Sequence, residues 1–326
     1  MLQIFRVARA RLLTPDRAVT RLDVRGFPVK DEDTRQRLES VGSSFLDGFA
    51  HALEAPDNAA VADRLERTVD QPYRGFAYEG AAMGLAVLDG MTPGGGRRVA
   101  RFIAGEAERH VYMAYVGIGW AYAKLPRFLW RGIGPVDPLL GWLALDGYGF
   151  YHAFFDTNKY VHEQYVETGV HLPGYAPHEY SRRVIDQGIG RAMWFVAGAD
   201  PEIAGKLVHG FAPSRQADLW SGMGLAATYA GAASAAELER LREHAGEHWA
   251  HLAQGCTWGA KARLFAGLAT PHTAVATEVL CGLSPEDAAA VTDGALADLP
   301  PDGERPAYEA WRDRIRRHVS RAGGRR

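Results

Sequence analysis

The chain has 326 residues, is 47% hydrophobic and carries a formal net charge of -2, so it can bury a sizeable core as one large domain or as a repeat array. That charge offers no electrostatic basis for nucleic-acid binding. Its two cysteines, Cys256 and Cys281, are too few for a disulfide scaffold or a four-cysteine metal site. The opening MLQIFRVARARLL interrupts its apolar run with Arg6, Arg9 and Arg11 and lacks the continuous core of a signal peptide. The most apolar long stretch, 137–155, contains Asp137, Asp146 and His152, which argues against a membrane span. A soluble cytoplasmic protein is expected, with neither nucleic acid nor membrane as partner.

In chain order, residues 1–32 alternate short apolar and basic segments and end in a turn-like GFPVKDED. Residues 33–54 read as an amphipathic helix through Leu38, Val41, Phe45, Phe49 and Leu53. A second helix fits Ala59–Val69 and stops at Gln71-Pro72. A glycine-led signature then recurs six times: YEGAAMGLA, YVGIGWAYA, LDGYGFYHA, DQGIGRAMW, WSGMGLAAT and AQGCTWGAK. The leading glycines are Gly80, Gly117, Gly147, Gly188, Gly222 and Gly255, at steps of 37, 30, 41, 34 and 33 residues. That period is the size of one helix hairpin and marks a repeat architecture. Thr92–Gly96, Gly132–Pro138 and His171–Pro177 read as loops. Segments such as Gly96–Glu108 and Ala235–Leu252 read as the second helices of the hairpins.

Pro271 and Ser284-Pro285-Glu286 point to a further helix pair. Asp298–Pro306 reads as a polar linker to a last basic helix, with RAGGRR a disordered tail. No alternating strand stands out. The expected fold is all-α, about six α/α hairpins forming a toroid or tight solenoid. Residues 1–70, 71–270 and 271–326 are an N-terminal helical segment, the repeat region and C-terminal helices of one compact domain.

Glycine inside a helix costs roughly 1 kcal/mol against alanine, so six doublets require an offsetting gain. Tight packing where inner helices converge is one. Helix-start N–H groups aimed at an oxygen-rich ligand in a shared cavity are another, and the two are compatible. GIGWAY and GIGRAM resemble the start of a dinucleotide fingerprint, but no strand or βαβ context accompanies them.

The residues before the leading glycines are Glu79, Val116, Asp146, Gln187, Ser221 and Gln254. Placed at helix starts they would serve as caps, or as a polar collar around one end of a cavity. Tyr78, Tyr115, Asp186 and Trp220 stand beside them, and Trp120, Phe150, Tyr151, Arg191, Trp194 and Trp258 just inside. An aromatic cavity with a few convergent polar groups is the default form of a ligand pocket.

Asp146 and Glu79 are the expected acid/base pair, because burial raises a carboxyl toward working pH. Tyr78 and Tyr151 are candidate proton donors, and Arg191 a candidate oxyanion stabiliser, or else the ion-pair partner of Asp186. Tyr115, Trp120, Phe150, His152, Asp186, Trp194, Trp220, Gln254 and Trp258 are expected to contact substrate. His244, His248 and His251 share one face if a single helix runs through them. Among glutamates, with no partner motif, they read as a solvated surface, and no metal is expected. Neither a nucleophile elbow nor a phosphate loop is present, and no cofactor is expected.

RGFAYEGAAMG, AYVGIGWAYAKLP, DPLLGWLALDGYGFYHAFF and DQGIGRAMWF resemble the bacterial family called domain of unknown function 1702, over nearly the full length. Members resembling this chain are encoded beside enediyne polyketide synthases. The resemblance implies a cofactor-independent cyclisation or carbon–carbon bond formation on a hydrophobic polyketide-derived intermediate, and it transfers no catalytic residue. A non-catalytic carrier or scaffold is the alternative, since helical arrays bind partners on concave surfaces.

Overall fold

A computed structural model describes residues 2–134, 137–174 and 179–323. The described residues are helical, without strands. The helices are α1 (Leu2–Leu13), α2 (Leu22–Arg25), α3 (Glu32–Glu54), α4 (Asn58–Thr68), α5 (Arg74–Met91), α6 (Arg98–Ala104), α7 (Val111–Lys124) and α8 (Trp142–Phe155). They continue as α9 (Tyr180–Val196), α10 (Pro201–His209), α11 (Pro213–Tyr229), α12 (Ala235–Ala245), α13 (Trp249–Phe265), α14 (Pro271–Cys281), α15 (Pro285–Gly294) and α16 (Ala307–Gly323).

An inner row runs α3, α5, α7, α8, α9, α11, α13, each packed on the next. The six signatures supply all of these but α3, which the glycine pattern does not reveal. α4, α6, α10, α12 and α14 return the chain along the outside. A 3-10 turn over Arg127–Ile133 and a π turn over Asn158–His162 take that place after α7 and α8. The row curls back on itself. Phe76 of α5 meets Tyr229 of α11 with ring centroids 5.0 Å apart. Arg263 of α13 donates to the Tyr229 and Pro72 carbonyls, and Arg37 of α3 to the Ala230 carbonyl.

The doublets set how closely the row packs. Glycines two apart lie about 200° apart around a helix, on nearly opposite sides. In α7 a Cβ on Gly117 would overlap the Glu79 carbonyl of the preceding helix, and one on Gly119 the Ala144 carbonyl of the following helix. In α9 Gly188 meets the Asp146 carbonyl behind it and Gly190 the Leu219 carbonyl ahead. At either end the spacing changes. Gly80 and Gly84 of α5, and Gly255 and Gly259 of α13, are four apart and face one neighbour only.

Three expectations need correction. The doublets sit inside helices, because α5, α7 and α13 grow out of preceding 3-10 turns and α8, α9 and α11 start well upstream. None of these six has a side-chain cap, so the residues before the glycines are neither caps nor beside free N–H groups. The segment Ala235–Leu252 is not one helix: it breaks at Gly246, whose φ is 49°, and its end belongs to α13. The helix expected over Gly96–Glu108 is shorter, Arg98–Ala104. Parts of the loops Gly132–Pro138 (135–136) and His171–Pro177 (175–177), and the tail beyond residue 323, lie outside the described residues.

Gly188→Ala must push α8 and α9 apart and is expected to cost about 1–3 kcal/mol or more. Gly294→Ala, at a helix end with open space around it, is expected to be neutral or slightly stabilising. Chemical denaturation of both variants checks the contrast.

Candidate functional site

Because each doublet is clamped to its neighbours, offsets from the leading glycine fix where side chains point. Positions one before, three after and seven after form one stripe, at the four-residue step of a helix face. Of the six residues three after, Met83, Trp120, Phe150, Arg191 and Leu225 line one cavity of about 280 Å³, and Trp258 does not. Seven after come Lys124, Phe154, Phe195 and Tyr229, also on its wall. One before, Glu79 lines it too. α3 completes the wall with Leu38, Phe45 and Phe49, and Pro15, Val19, Thr20 and Leu22 cover it from the N-terminal segment.

The wall is aromatic. Trp120 lies 4.3 Å from Phe45, 5.1 Å from Phe150 and 5.7 Å from Tyr151 between ring centroids. The Arg191 guanidinium sits 4.6 Å over the Phe150 ring, a cation–π contact in a desolvated setting. Arg191, Leu225 and Tyr229 also border a second, small cavity of about 30 Å³ against Trp258, Val116 and Trp311. They partition the two spaces.

The polar layer is a buried charge cluster. Arg191 Nη2 lies 2.9 Å from Asp146 Oδ1, and Arg191 Nη1 lies 3.9 Å from Glu79 Oε1. Gln187 Nε2 donates to Asp146 Oδ2 at 2.9 Å and to Tyr308 Oη of α16 at 3.2 Å. Further round, Ser221 Oγ donates to Gln254 Oε1 at 2.8 Å, and Arg312 Nε to the same oxygen at 3.2 Å. Arg312 also pairs with Asp218 at 2.8 Å and donates to Tyr180 Oη at 2.7 Å. Of the residues before the leading glycines, Asp146 therefore joins Gln187 and Ser221 joins Gln254 across neighbouring helices, in mid-helix.

Two carboxyls share one guanidinium in this cluster, and a buried charge without a partner is costly. Asp146 has the closer contact and the amide bond, so it carries the negative charge. Burial raises its pKa, opposed by Arg191 and Gln187. Glu79 is left as the carboxyl that holds its proton below about pH 7. Burial pushes it up to about 7 against the pull of Arg191, with Asp146 adding to the rise. Glu79 faces the cavity, whereas Asp146 lies behind Arg191 and holds it.

Other residues singled out in the sequence are placed elsewhere. Tyr78 stacks on His110 at 3.8 Å and donates to Glu66 at 3.1 Å, away from the cavity. Tyr115 accepts from the Asp137 amide. Asp186 is held by Arg215 at 3.0 Å, so it is not the partner of Arg191. Trp194 donates to the Gly231 carbonyl, and Trp220 is wholly buried near His209. Neither lines the cavity, because both stand at offsets that turn away from it. Gln254 is engaged by Ser221 and Arg312, and Trp258 lines only the small cavity. His152 pairs with Asp156 at 3.1 Å, not with Asp146, while Tyr151 lines the cavity wall. His244 binds Glu202 at 2.9 Å and lies on α12, His248 falls in the 3-10 turn Gly246–His248, and His251 lies on α13. No group of three or more His, Cys, Asp or Glu able to hold a metal occurs among the described residues, and none of their helices is long and apolar enough to cross a membrane.

Sequence reasoning missed Tyr229, Phe45, Phe76 and Phe154 on the wall, and Tyr308 and Arg312 behind it. The seven-after offset would have found Tyr229 and Phe154.

Arg191→Met strands the Asp146 carboxylate and is expected to cost about 3–5 kcal/mol, with part of that recovered when Asp146→Asn is added. Urea denaturation of the two single variants and the double variant measures the coupling. Glu79 holds its proton more tightly folded than unfolded. Its contribution to stability is therefore full below its ordinary value of 4.5 and is lost as pH rises through about 7. That loss is about 3 kcal/mol. In a pH series of unfolding curves, Glu79→Gln should remove a loss of that size between those two pH values.

The model of the DUF1702 family, proteins of unknown function, matches residues 4–319. No curated protein and no solved structure matches the chain. With the match spanning nearly all of the sequence, the chain belongs to the DUF1702 family.

Proposed function

We propose that this protein is a natural-product biosynthesis enzyme that closes a carbon–carbon bond in a hydrophobic, polyketide-derived intermediate, in the enediyne setting its resemblance implies. The observation that carries the reading is Glu79, a buried carboxyl beside Arg191 on the wall of an aromatic cavity. A carrier gains nothing from a proton-donating group there, while an acid/base catalyst needs one near working pH.

In the proposed step, the cavity folds the chain so that an enol carbon meets a second carbonyl carbon. Orientation of this kind supplies several kcal/mol of the barrier. The enol carbon forms the new bond as the carbonyl π bond breaks. Glu79 gives its proton to the new alkoxide oxygen and receives the enol O–H proton in return, leaving a product of unchanged mass. Arg191, held by Asp146, stabilises the developing oxyanion. In this reading neither metal nor cofactor takes part in the step.

The test is incubation of the pure protein with the released linear polyketide, followed by liquid chromatography and mass spectrometry. A new isomer is expected, with its rate falling as pH rises past about 7 and dropping about 10²–10⁴-fold in Glu79→Gln. Full activity in a folded Glu79→Gln variant would overturn the role of Glu79. Tight binding without conversion would instead identify a carrier.

A further inference from the structure

The cluster around Glu79 has more hydrogen-bond donors than it can use. Trp120 Nε1, Arg191 Nε and Tyr229 Oη are each buried and make no hydrogen bond. All three residues line the cavity, and each is more than nine-tenths buried. Trp120 and Arg191 lie close enough to Glu79 to lower its pKa, and the charges of Glu79 and Arg191 both act on the Tyr229 hydroxyl. The unfilled acceptor nearby, Asp146 Oδ1, is already charge-paired with Arg191. Buried donors left open in a native protein call for an explanation, and here an acceptor brought by a ligand supplies one.

Charge counting narrows what that acceptor is. Arg191 and Asp146 cancel, and Glu79 holds its proton. An ionised carboxylate would add a net negative charge inside an apolar wall, where an uncompensated charge costs several kcal/mol. An uncharged carbonyl oxygen accepts the same bonds without adding charge. We infer that Trp120 Nε1, Tyr229 Oη and Arg191 form a subsite for the oxygen of a neutral ketone on an otherwise apolar, ring-bearing ligand, and that the cavity rejects the corresponding carboxylate. The inference rests on the proposed reading only for its choice of cavity and requires no turnover.

The probes are acetylnaphthalene, naphthoate and ethylnaphthalene, which share one ring system and differ in the polar group. Binding is measured by titration calorimetry at pH 6, and the carbonyl stretch of isotopically labelled acetylnaphthalene by difference infrared spectroscopy. The ketone should bind at least about tenfold more tightly than naphthoate, with its carbonyl stretch moved to lower frequency than in hexane. Tyr229→Phe removes a hydroxyl that bonds to nothing in the unliganded fold. It should weaken the ketone about three- to tenfold, shrink the infrared shift and leave ethylnaphthalene unchanged. Trp120→Phe should act in the same direction on the infrared shift. Naphthoate binding as tightly as the ketone, an unshifted carbonyl, an unaltered ketone affinity in folded Tyr229→Phe, or no binding by any probe would each overturn the subsite. A protein that binds the ketone in this way yet converts no polyketide keeps the subsite and loses the reaction. One that turns over polyketide but prefers naphthoate does the reverse.

Discussion

Everything in this fold depends on helix backbones touching. At each doublet a peptide carbonyl of one inner helix rests where the next helix has only hydrogen on its Cα. A normal interior spaces helices 8–10 Å apart through side chains. Removing the side chain at the crossing brings the axes closer and replaces adaptable contacts with a rigid one. The propensity cost of glycine is offset by close packing and by the precision with which every other residue on that helix is aimed. The geometry of the site follows from this, since the stripe that lines the cavity is defined by its distance from the clamp.

A second constraint is electrostatic. The inner layer buries Glu79, Asp146, Arg191, Asp218, Arg263 and Arg312, groups that are almost never hidden unless paired. They survive because nearly every one is answered by a charge or carbonyl from another helix. α16 contributes most to this. Tyr308 and Arg312 reach Gln187 and Tyr180 of α9, Asp218 of α11 and Gln254 of α13. The C-terminal helix thus closes a polar interior that the repeat helices leave open among themselves.

The class of fold was legible because glycine periodicity survives without any structural knowledge. The starts of several glycine-bearing inner helices were not. α7, α8 and α13 begin with the apolar or aromatic residues Val111, Trp142 and Trp249, continuing from irregular turns, so the usual cap signals are absent there. Among site residues, Glu79, Trp120, Phe150, Tyr151 and Arg191 were reachable from the flanks of the glycines and line the cavity. Trp194, Trp220 and Tyr78 were equally prominent by composition, yet their offsets of six after and two before turn them away. α3 was hidden as a wall because its glycines, Gly42 and Gly48, do not form the doublet. The partnership of Arg191 with Asp146, rather than Asp186, depends on a contact between helices that no local pattern encodes.

The change from a two-residue to a four-residue glycine spacing at α5 and α13 has a consequence for how such a chain can vary. A helix with clefts on both sides receives a neighbour's backbone on both, while α5 and α13 do so on one side and present their own carbonyls or side chains on the other. Connections between units already differ in length, with steps from 30 to 41 residues, so added residues there leave the clamps in place. A single residue added between a leading glycine and the seventh position beyond it would instead swing the far end of that stripe by about 100°. Variation in the lining is thereby channelled into exchanges of side chains at fixed addresses, and variation in length into the outer surface.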